Sequence, residues 1–311
     1  MKLTKKSAKI LILLIAVILS FFWAIDSAIL KNLSWHDLFN FAKVCDLSTD
    51  FRDSDMEVHF LAVGKADCCY VKYKDYNILI DAADREPNNI VCEYLHRMNV
   101  KKLDYVFVSH LHRDHIGQME DVIKNFEIGK FIKSKVLEAI IPTSVTYERM
   151  LRALISKNVC VKTAISGEKF SLGDLKFEIY GPITESTNIN NTSLVFKMSY
   201  QKWKFLFTGD AQESEEIDIL KKNFDIRSTV LKVGHHGSKT STSKKFLNKV
   251  NPKYAVISVA PDRNNLPKEQ TLYRLDKIGA KIYRTDLDGN IIFSIKNGKM
   301  KVFTEKERTL V

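Results

Sequence analysis

Cysteine is scarce: the 311 residues hold five, Cys45, Cys68, Cys69, Cys92 and Cys160. No two stand as Cys-x-x-Cys, which excludes a zinc knuckle or a thioredoxin-like motif. Cys68 and Cys69 fall in a strand-like run, where alternation sends adjacent side chains to opposite faces. An odd count leaves at least one thiol free in an oxidising compartment, so a disulfide framework is not what holds this fold together. Glycine (12) and proline (6) are also few. That excludes a collagen-like, low-complexity or disordered chain. A mean hydropathy of −0.15 excludes a polytopic membrane protein. There is no internal repeat and no linker that would split the body. A basic motif interleaved with aromatics, which would make nucleic acid a specific ligand, is lacking as well.

What is present is a globular composition, 45% hydrophobic and 27% charged, with a net charge of +11. Lys2, Lys5, Lys6, Lys9 and Lys31 against Asp26 put +4 of that at the N-terminus, leaving +7 for the rest. A basic body fits an acidic partner such as nucleic acid, an anionic membrane or a wall polymer; lysine-rich composition alone would give the same total. Residues 10–25 are apolar apart from Ser20 and follow the lysines. This is the pattern of a signal sequence, read here as an uncleaved signal anchor or a signal peptide over 1–28. The flanking lysines place the N-terminus inside and the body outside the cell membrane. Residues 29–55 read as a spacer, 56–305 as the body and 306–311 as a tail.

The body alternates strand-like and helix-like stretches. Strands are expected at 56–63, 68–73, 76–81, 103–108, around Phe131, and at 138–142, 175–180, 193–199 and 204–208. Five more are expected at 229–233, 254–259, 281–283, 291–295 and 300–303. Helices are expected over 88–98, 116–126, 144–156, 211–222, 243–250 and 268–278. Asp288-Gly289 reads as a hairpin signal. The result is a mixed α/β domain.

Three strand ends carry chemistry. Ser109-His110-Leu111-His112-Arg113-Asp114-His115-Ile116-Gly117 follows one strand and precedes a helix. Three of the chain's eight histidines lie within six residues there. They cannot share one face of a regular element, but they can converge in a loop at a strand's carboxyl end. Imidazole nitrogen and carboxylate oxygen suit Zn²⁺, and also Mn²⁺ or Fe²⁺. Thr208-Gly209-Asp210-Ala211 and Val233-Gly234-His235-His236-Gly237-Ser238-Lys239-Thr240 end two further strands. Alone, the first is an ordinary helix cap and the second a polar loop. Together they gather an acid and imidazoles where α/β proteins build sites.

In order, His-x-His-x-Asp-His, Gly-Asp and a later His resemble the metallo-β-lactamase superfamily. The body is most similar to the metallo-hydrolase domain of ComEC-type competence proteins, without their membrane permease part. The supporting stretches are Val58 to Asp67, Asn77 to Asp81, the His110 loop, Asn191 to Val195, Thr208 to Ala211 and Val233 to Ser243. The resemblance implies an αββα sandwich of two mixed sheets with two divalent metal ions at one edge, zinc first and manganese second. His110 and His112 would bind the first ion, Asp114 and His115 the second, with Asp210 bridging. One of His235 and His236 would complete the second site and the other face substrate. A metal-bridging hydroxide, oriented by Asp114, would be the nucleophile. Ser238, Lys239 and Thr240 would hold an anionic substrate oxygen, and Asp67 and Asn191 would support ligands or touch substrate.

Three positions depart from the pattern. Asn191 stands where the superfamily usually has a third histidine of the first site, as in ComEC-type relatives. The ComEC-like Asp-Val-Gly-Gln-Gly-Asp stretch reads Ala62-Val63-Gly64-Lys65-Ala66-Asp67. The late His-Pro reads Leu266-Pro267, which removes a potential acid. The function expected is a metal-dependent phosphodiesterase acting on an anionic substrate, nucleic acid included, outside the membrane. Hydrolysis of a phosphocholine ester, lactone, thioester or β-lactam is the alternative, and a non-catalytic surface-binding module is the third reading. The sequence points to no protein partner.

Overall fold

The longest apolar stretches alternate with polar turns from Met56 onward, and they form two sheets. A computed structural model describes residues 54–86, 88–261 and 264–306. The expected signal anchor lies outside the described residues, as do nearly all of the spacer and tail. Among the described residues no helix is long and apolar enough to cross a membrane.

The strands in chain order are β1 Met56–Phe60, β2 Cys69–Tyr73, β3 Tyr76–Ile80, β4 Lys102–Val108, β5 Glu127–Lys133, β6 Val161–Thr163 and β7 Lys169–Leu172. They continue as β8 Leu175–Gly181, β9 Val195–Tyr200, β10 Trp203–Phe207, β11 Val230–Lys232, β12 Tyr254–Ile257, β13 Lys281–Arg284, β14 Ile291–Lys296 and β15 Lys299–Thr304. One sheet has the order β15-β14-β1-β2-β3-β4-β5-β6 and the other β13-β12-β11-β10-β9-β8-β7. Each is antiparallel on one side and parallel on the other: β3 to β6 run parallel, and so do β10 to β13.

Parallel strands need both faces covered, and the residues supply it. Between the sheets lies an aromatic core that includes Phe60, Phe107, Phe177, Phe196, Phe205 and Phe293. Phe107 and Phe196 stack with centroids 4.8 Å apart, joining the two sheets through their rings. The helices Ile90–Arg97, Met119–Asn125 and Val145–Ser156 bury Leu95, Val122 and Leu154 on the outer face of the first sheet. The helices Glu213–Lys221, Lys244–Val250 and Glu269–Lys277 do the same with Ile219, Leu247 and Leu275 on the second. The layers are therefore helix, sheet, sheet, helix, as expected.

Three local expectations are corrected. Residues 138–142 form no strand; Glu138–Ile140 is a single 3₁₀ turn without a buried residue, so no face is left to pair. The edge strands β6 and β7 were not expected, because β6 is exposed along its whole length and β7 buries no residue fully. Asp288-Gly289 is not the hairpin. Asp288 closes the short helix Thr285–Asp288 and accepts from the Arg284 amide at 2.7 Å. The turn between β14 and β15 is Asn297-Gly298, both at positive φ (49° and 71°), the Asn-Gly chemistry such turns favour.

Candidate metal centre

The carboxyl ends of the parallel strands meet at one edge of the sandwich. Asp81 follows β3 directly and Ser109-His110 follow β4; Gly209-Asp210 come just after the end of β10, and His235-His236 shortly after that of β11. After β4 the chain turns into the one-turn helix Arg113–Ile116. Gly117 follows, where a Cβ would meet the backbone of Asp84 and Arg85 at 2.3 Å; only glycine lets the loop close down. His235 and His236 both sit at left-handed φ (50° and 52°). That conformation costs a non-glycine residue about 1–3 kcal/mol, strain of the kind found at functional sites.

Three overlapping groups of side chains could hold a cation. His110, His112 and Asp210 form one; Asp114, His115, Asp210 and His236 form the second; Asp67, Asp81 and His115 form the third, where Asp81 already meets His115 Nδ1 and Asp67 already pairs with Lys232. Asp210 belongs to the first two through different oxygens. Its Oδ2 lies 3.8 Å from His110 Nε2, and its Oδ1 lies 3.4 Å from His115 Nε2 and 3.9 Å from His236 Nε2. Asp114 Oδ2 is 3.4 Å from His236 Nε2. Buried polar atoms almost always find partners. Here His115 Nε2, His236 Nε2 and Asp210 Oδ1 are buried, converge and have no hydrogen bond. Such a donor set fits a cation.

Each inner imidazole is oriented from behind, as ligating histidines are. His115 Nδ1 contacts Asp81 Oδ2 at 2.8 Å and Ser109 Oγ at 3.1 Å. Asp81 also accepts the Ser109 amide and hydroxyl, both at 2.7 Å. His236 Nδ1 meets the Ser258 carbonyl at 2.9 Å. The Asp210 amide donates to Ser193 Oγ at 3.0 Å.

The charges sort accordingly. Burial opposes a charged His115, but Asp210 and Asp81 outweigh it and hold its pKa well above the ordinary value. His236 is raised in the same way, burial being overcome by Asp210 and Asp114. Burial works against the Asp210 anion, yet His115 and His236 pull its pKa well below the usual range. Asp114 is lowered too, its burial outweighed by the His236 imidazole 3.4 Å away and by His115. His110, His112 and His235 are all lowered, by burial first. Neutral imidazoles at His110 and His112 are in the form that ligates metal.

The pair left open by the sequence separates. His236 is fully buried and belongs to the second group. His235 is partly exposed; its Nε2 lies 3.7 Å from Asp210 Oδ2 and its Nδ1 3.3 Å from Thr240 Oγ1. Ser238 and Thr240 are joined by a 3.0 Å hydroxyl contact beside it. The Lys239 side chain is exposed and makes no hydrogen bond or ion pair among the described residues. Asn191 is in none of the three groups. Its Oδ1 accepts from the Gln212 amide (3.0 Å) and its Nδ2 donates to Ser214 Oγ (2.8 Å), so it ties the 3₁₀ turn Ile189–Thr192 to the next helix. Its neighbour Asn190 lies near His112, its Oδ1 buried and without a hydrogen bond. Leu266 packs into the core under the second sheet.

Asp67 is buried and 2.8 Å from the equally buried Lys232 Nζ, with its Oδ1 3.7 Å from His236 Nδ1. Lys232, Asp81 and Ser109 escaped the sequence reading. The signal for Lys232 was a lone lysine inside the apolar run Val230-Leu231-Lys232-Val233. Lys65, where the ComEC-like stretch has glutamine, is near enough for its charge to lower His235.

Two carboxylates and four imidazoles at the edge of an αββα sandwich define a metallo-hydrolase of the metallo-β-lactamase type. The model of the metallo-beta-lactamase superfamily matches residues 61–260, and the chain belongs to that superfamily. It is similar to ComE operon protein 3 of Bacillus subtilis (strain 168), 28% identical over 264 residues, which are 78% of this chain and 34% of that protein. It is also similar to competence protein ComA of Neisseria gonorrhoeae, 31% identical over 211 residues, 67% of this chain and 27% of that one. The chain thus spans about a third or less of these relatives. Among solved structures, the metallo-beta-lactamase fold protein YhfI from Bacillus subtilis superposes with a TM-score of 0.53 at 11% identity, over 77% of this chain and 99% of that one.

Proposed function

We propose that the chain is a phosphodiesterase that cleaves nucleic acid outside the cell membrane, to which residues 1–28 anchor it. The observation that carries this is the Asp210 carboxylate, divided between two groups of ligands on its two oxygens. Two divalent cations held there, zinc or manganese, would supply a lowered pKa for water and a clamp on both oxygens of an in-line phosphoryl displacement. His110, His112 and Asp210 would hold one; Asp114, His115, Asp210 and His236 would hold the other. His235 would face the substrate and, when protonated, donate its proton to the leaving oxygen. Ser238, Thr240 and Lys239 lie on the same loop and present hydroxyls and an ammonium to a phosphate oxygen.

The +7 body and the competence relatives support a polyanionic substrate. A first group with only three protein ligands leaves room for a bulky phosphodiester, and argues against a β-lactam substrate. Three unpaired buried atoms argue against a binding module that never holds metal. The test is hydrolysis of bis-p-nitrophenyl phosphate and of single-stranded and duplex DNA, with Zn²⁺, Mn²⁺ or EDTA. Metal-dependent cleavage that Asp210→Ala abolishes is expected. Absence of cleavage with metal bound would move the substrate to another ester or amide.

A further inference from the structure

A large concave surface lies beside the candidate metal centre, not on it. It measures about 780 Å³ and runs between the carboxyl ends of β5 and β6 on one sheet and the end of β8 on the other. Its walls carry Lys133, Lys135 and Lys222 and no aspartate or glutamate. Its lining also holds apolar residues, the partly buried Ile183 and Phe224 and the exposed Ile165.

Topology sets it against the site. Lys133 pairs in register with Val108, the residue just before Ser109-His110. Neighbouring strands are about 4.8 Å apart, so Lys133 stands one strand from the histidine loop, at the same sheet edge. A smaller adjoining cavity shares Lys135, Pro182 and Ile183 with the groove and is also lined by Thr192. Thr192 lies in the 3₁₀ turn Ile189–Thr192, whose Asn190 is near His112. The concave surface therefore extends as far as that turn.

The lysines are poorly neutralised. Lys133 is half-buried and makes no ion pair among the described residues; its ammonium meets only the Ser134 carbonyl at 3.4 Å. Burial lowers its pKa, and a bound anion would reverse that. Lys135 pairs with Glu185 at 2.9 Å, but both are exposed and such pairs contribute little. Lys222 has no carboxylate partner among the described residues. A duplex presents phosphates and would leave the apolar lining residues unused. A single strand presents phosphates to cations and base faces to apolar and aromatic side chains together.

We propose that this groove binds a single-stranded nucleic acid, with its phosphates on Lys133, Lys135 and Lys222 and its bases over Phe224 and Ile183, and leads it to the metal centre. This rests on the phosphodiesterase reading and names the surface that reading needs.

The test is binding of a fluorescein-labelled oligothymidylate of about twelve nucleotides to the full chain in neutral detergent. Anisotropy is read in EDTA across a salt series, so hydrolysis plays no part. The charge-reversal pair Lys135→Glu/Lys222→Glu is expected to weaken binding roughly tenfold or more and to flatten the log–log salt slope by at least about 1.4, or 0.7 per contact. The pair Lys277→Glu/Lys281→Glu, at the end of the helix Glu269–Lys277 and the start of β13 on the far edge of the second sheet, is expected to change the slope far less. Metal content and Tm check that each variant is folded. Equal loss from both pairs would overturn the proposal, since only net charge would then matter. So would unchanged oligonucleotide affinity alongside a groove-dependent preference for phosphatidylglycerol over phosphatidylcholine vesicles, which would make the surface a lipid contact. Groove-dependent binding by a chain that cleaves no phosphodiester would keep the groove and sink the phosphodiesterase.

Discussion

Lys232→Met removes an ammonium that sits 2.8 Å from Asp67, both side chains being about 6% exposed. Asp67 Oδ1 already lacks a hydrogen bond. Without Lys232 the carboxylate is left buried among Asp81 and the metal ligands. Breaking a buried pair from one side costs about 3–5 kcal/mol, whereas replacing both partners by apolar groups is often neutral. For a domain of this size 1 kcal/mol moves Tm by about 2–4 °C, so Tm should fall by roughly 6–20 °C. Asp67→Leu/Lys232→Met should recover most of that. The assay is thermal and urea unfolding of the metal-free wild type, both single variants and the double variant, read by circular dichroism. A Lys232→Met loss below about 1 kcal/mol, or a double variant that is simply additive, would refute the reasoning.

His115 and His236 have pKa values raised above the ordinary range, so the metal-free protein holds protons there near neutrality. Their contribution to stability is full below the unfolded value and lost as the pH rises through the folded one. Metal uptake at pH 7 should release those protons and weaken on acidification; calorimetry in buffers of different ionisation enthalpy should show it, and uptake without proton release would contradict it. Glu215, buried and accepting the Ile183 amide at 2.8 Å, is pushed up to about 7. Stability should therefore fall as pH rises from about 4.5 towards 7, and Glu215→Gln, which keeps the acceptor, should raise Tm at pH 8 but hardly at pH 5. His235→Gln should keep both cations and lower turnover about 10²-fold, while His236→Asn should lose one cation. Equal metal content in the two variants would undo the distinction drawn between them.

The metal edge was legible because its residues break the pattern of what surrounds them. Three histidines and an aspartate behind an apolar strand have no place on a core face, and Gly-Asp and His-His recur behind two more such strands. What supports them was not legible. Asp81 ends the strand-like Asn77-Ile78-Leu79-Ile80-Asp81 as any strand-terminating acid would, and only the β3–β4 pairing brings it under Ser109 and His115. Lys232 alternates into the interior, where a lysine reads as exposed until Asp67, from the loop between β1 and β2, is placed beside it. That Asn191 ties its 3₁₀ turn to Gln212 and Ser214 was not legible, because such a turn has no periodicity to fix which side chain points inward. Apolar alternation gave the mixed α/β class, and the αββα layering came only with the resemblance. The edges β6 and β7 were not legible, because a strand that buries no residue fully leaves little hydrophobic trace.

The central claim is a two-cation centre bridged by Asp210. Its most direct test is elemental analysis of the purified chain after loading with Zn²⁺ or Mn²⁺ and removal of free metal, in wild type and Asp210→Ala. Two ions per chain in the wild type, and at most one weakly held in a variant whose circular dichroism is unchanged, are predicted. Two ions retained in Asp210→Ala, or none in the wild type, would contradict the account.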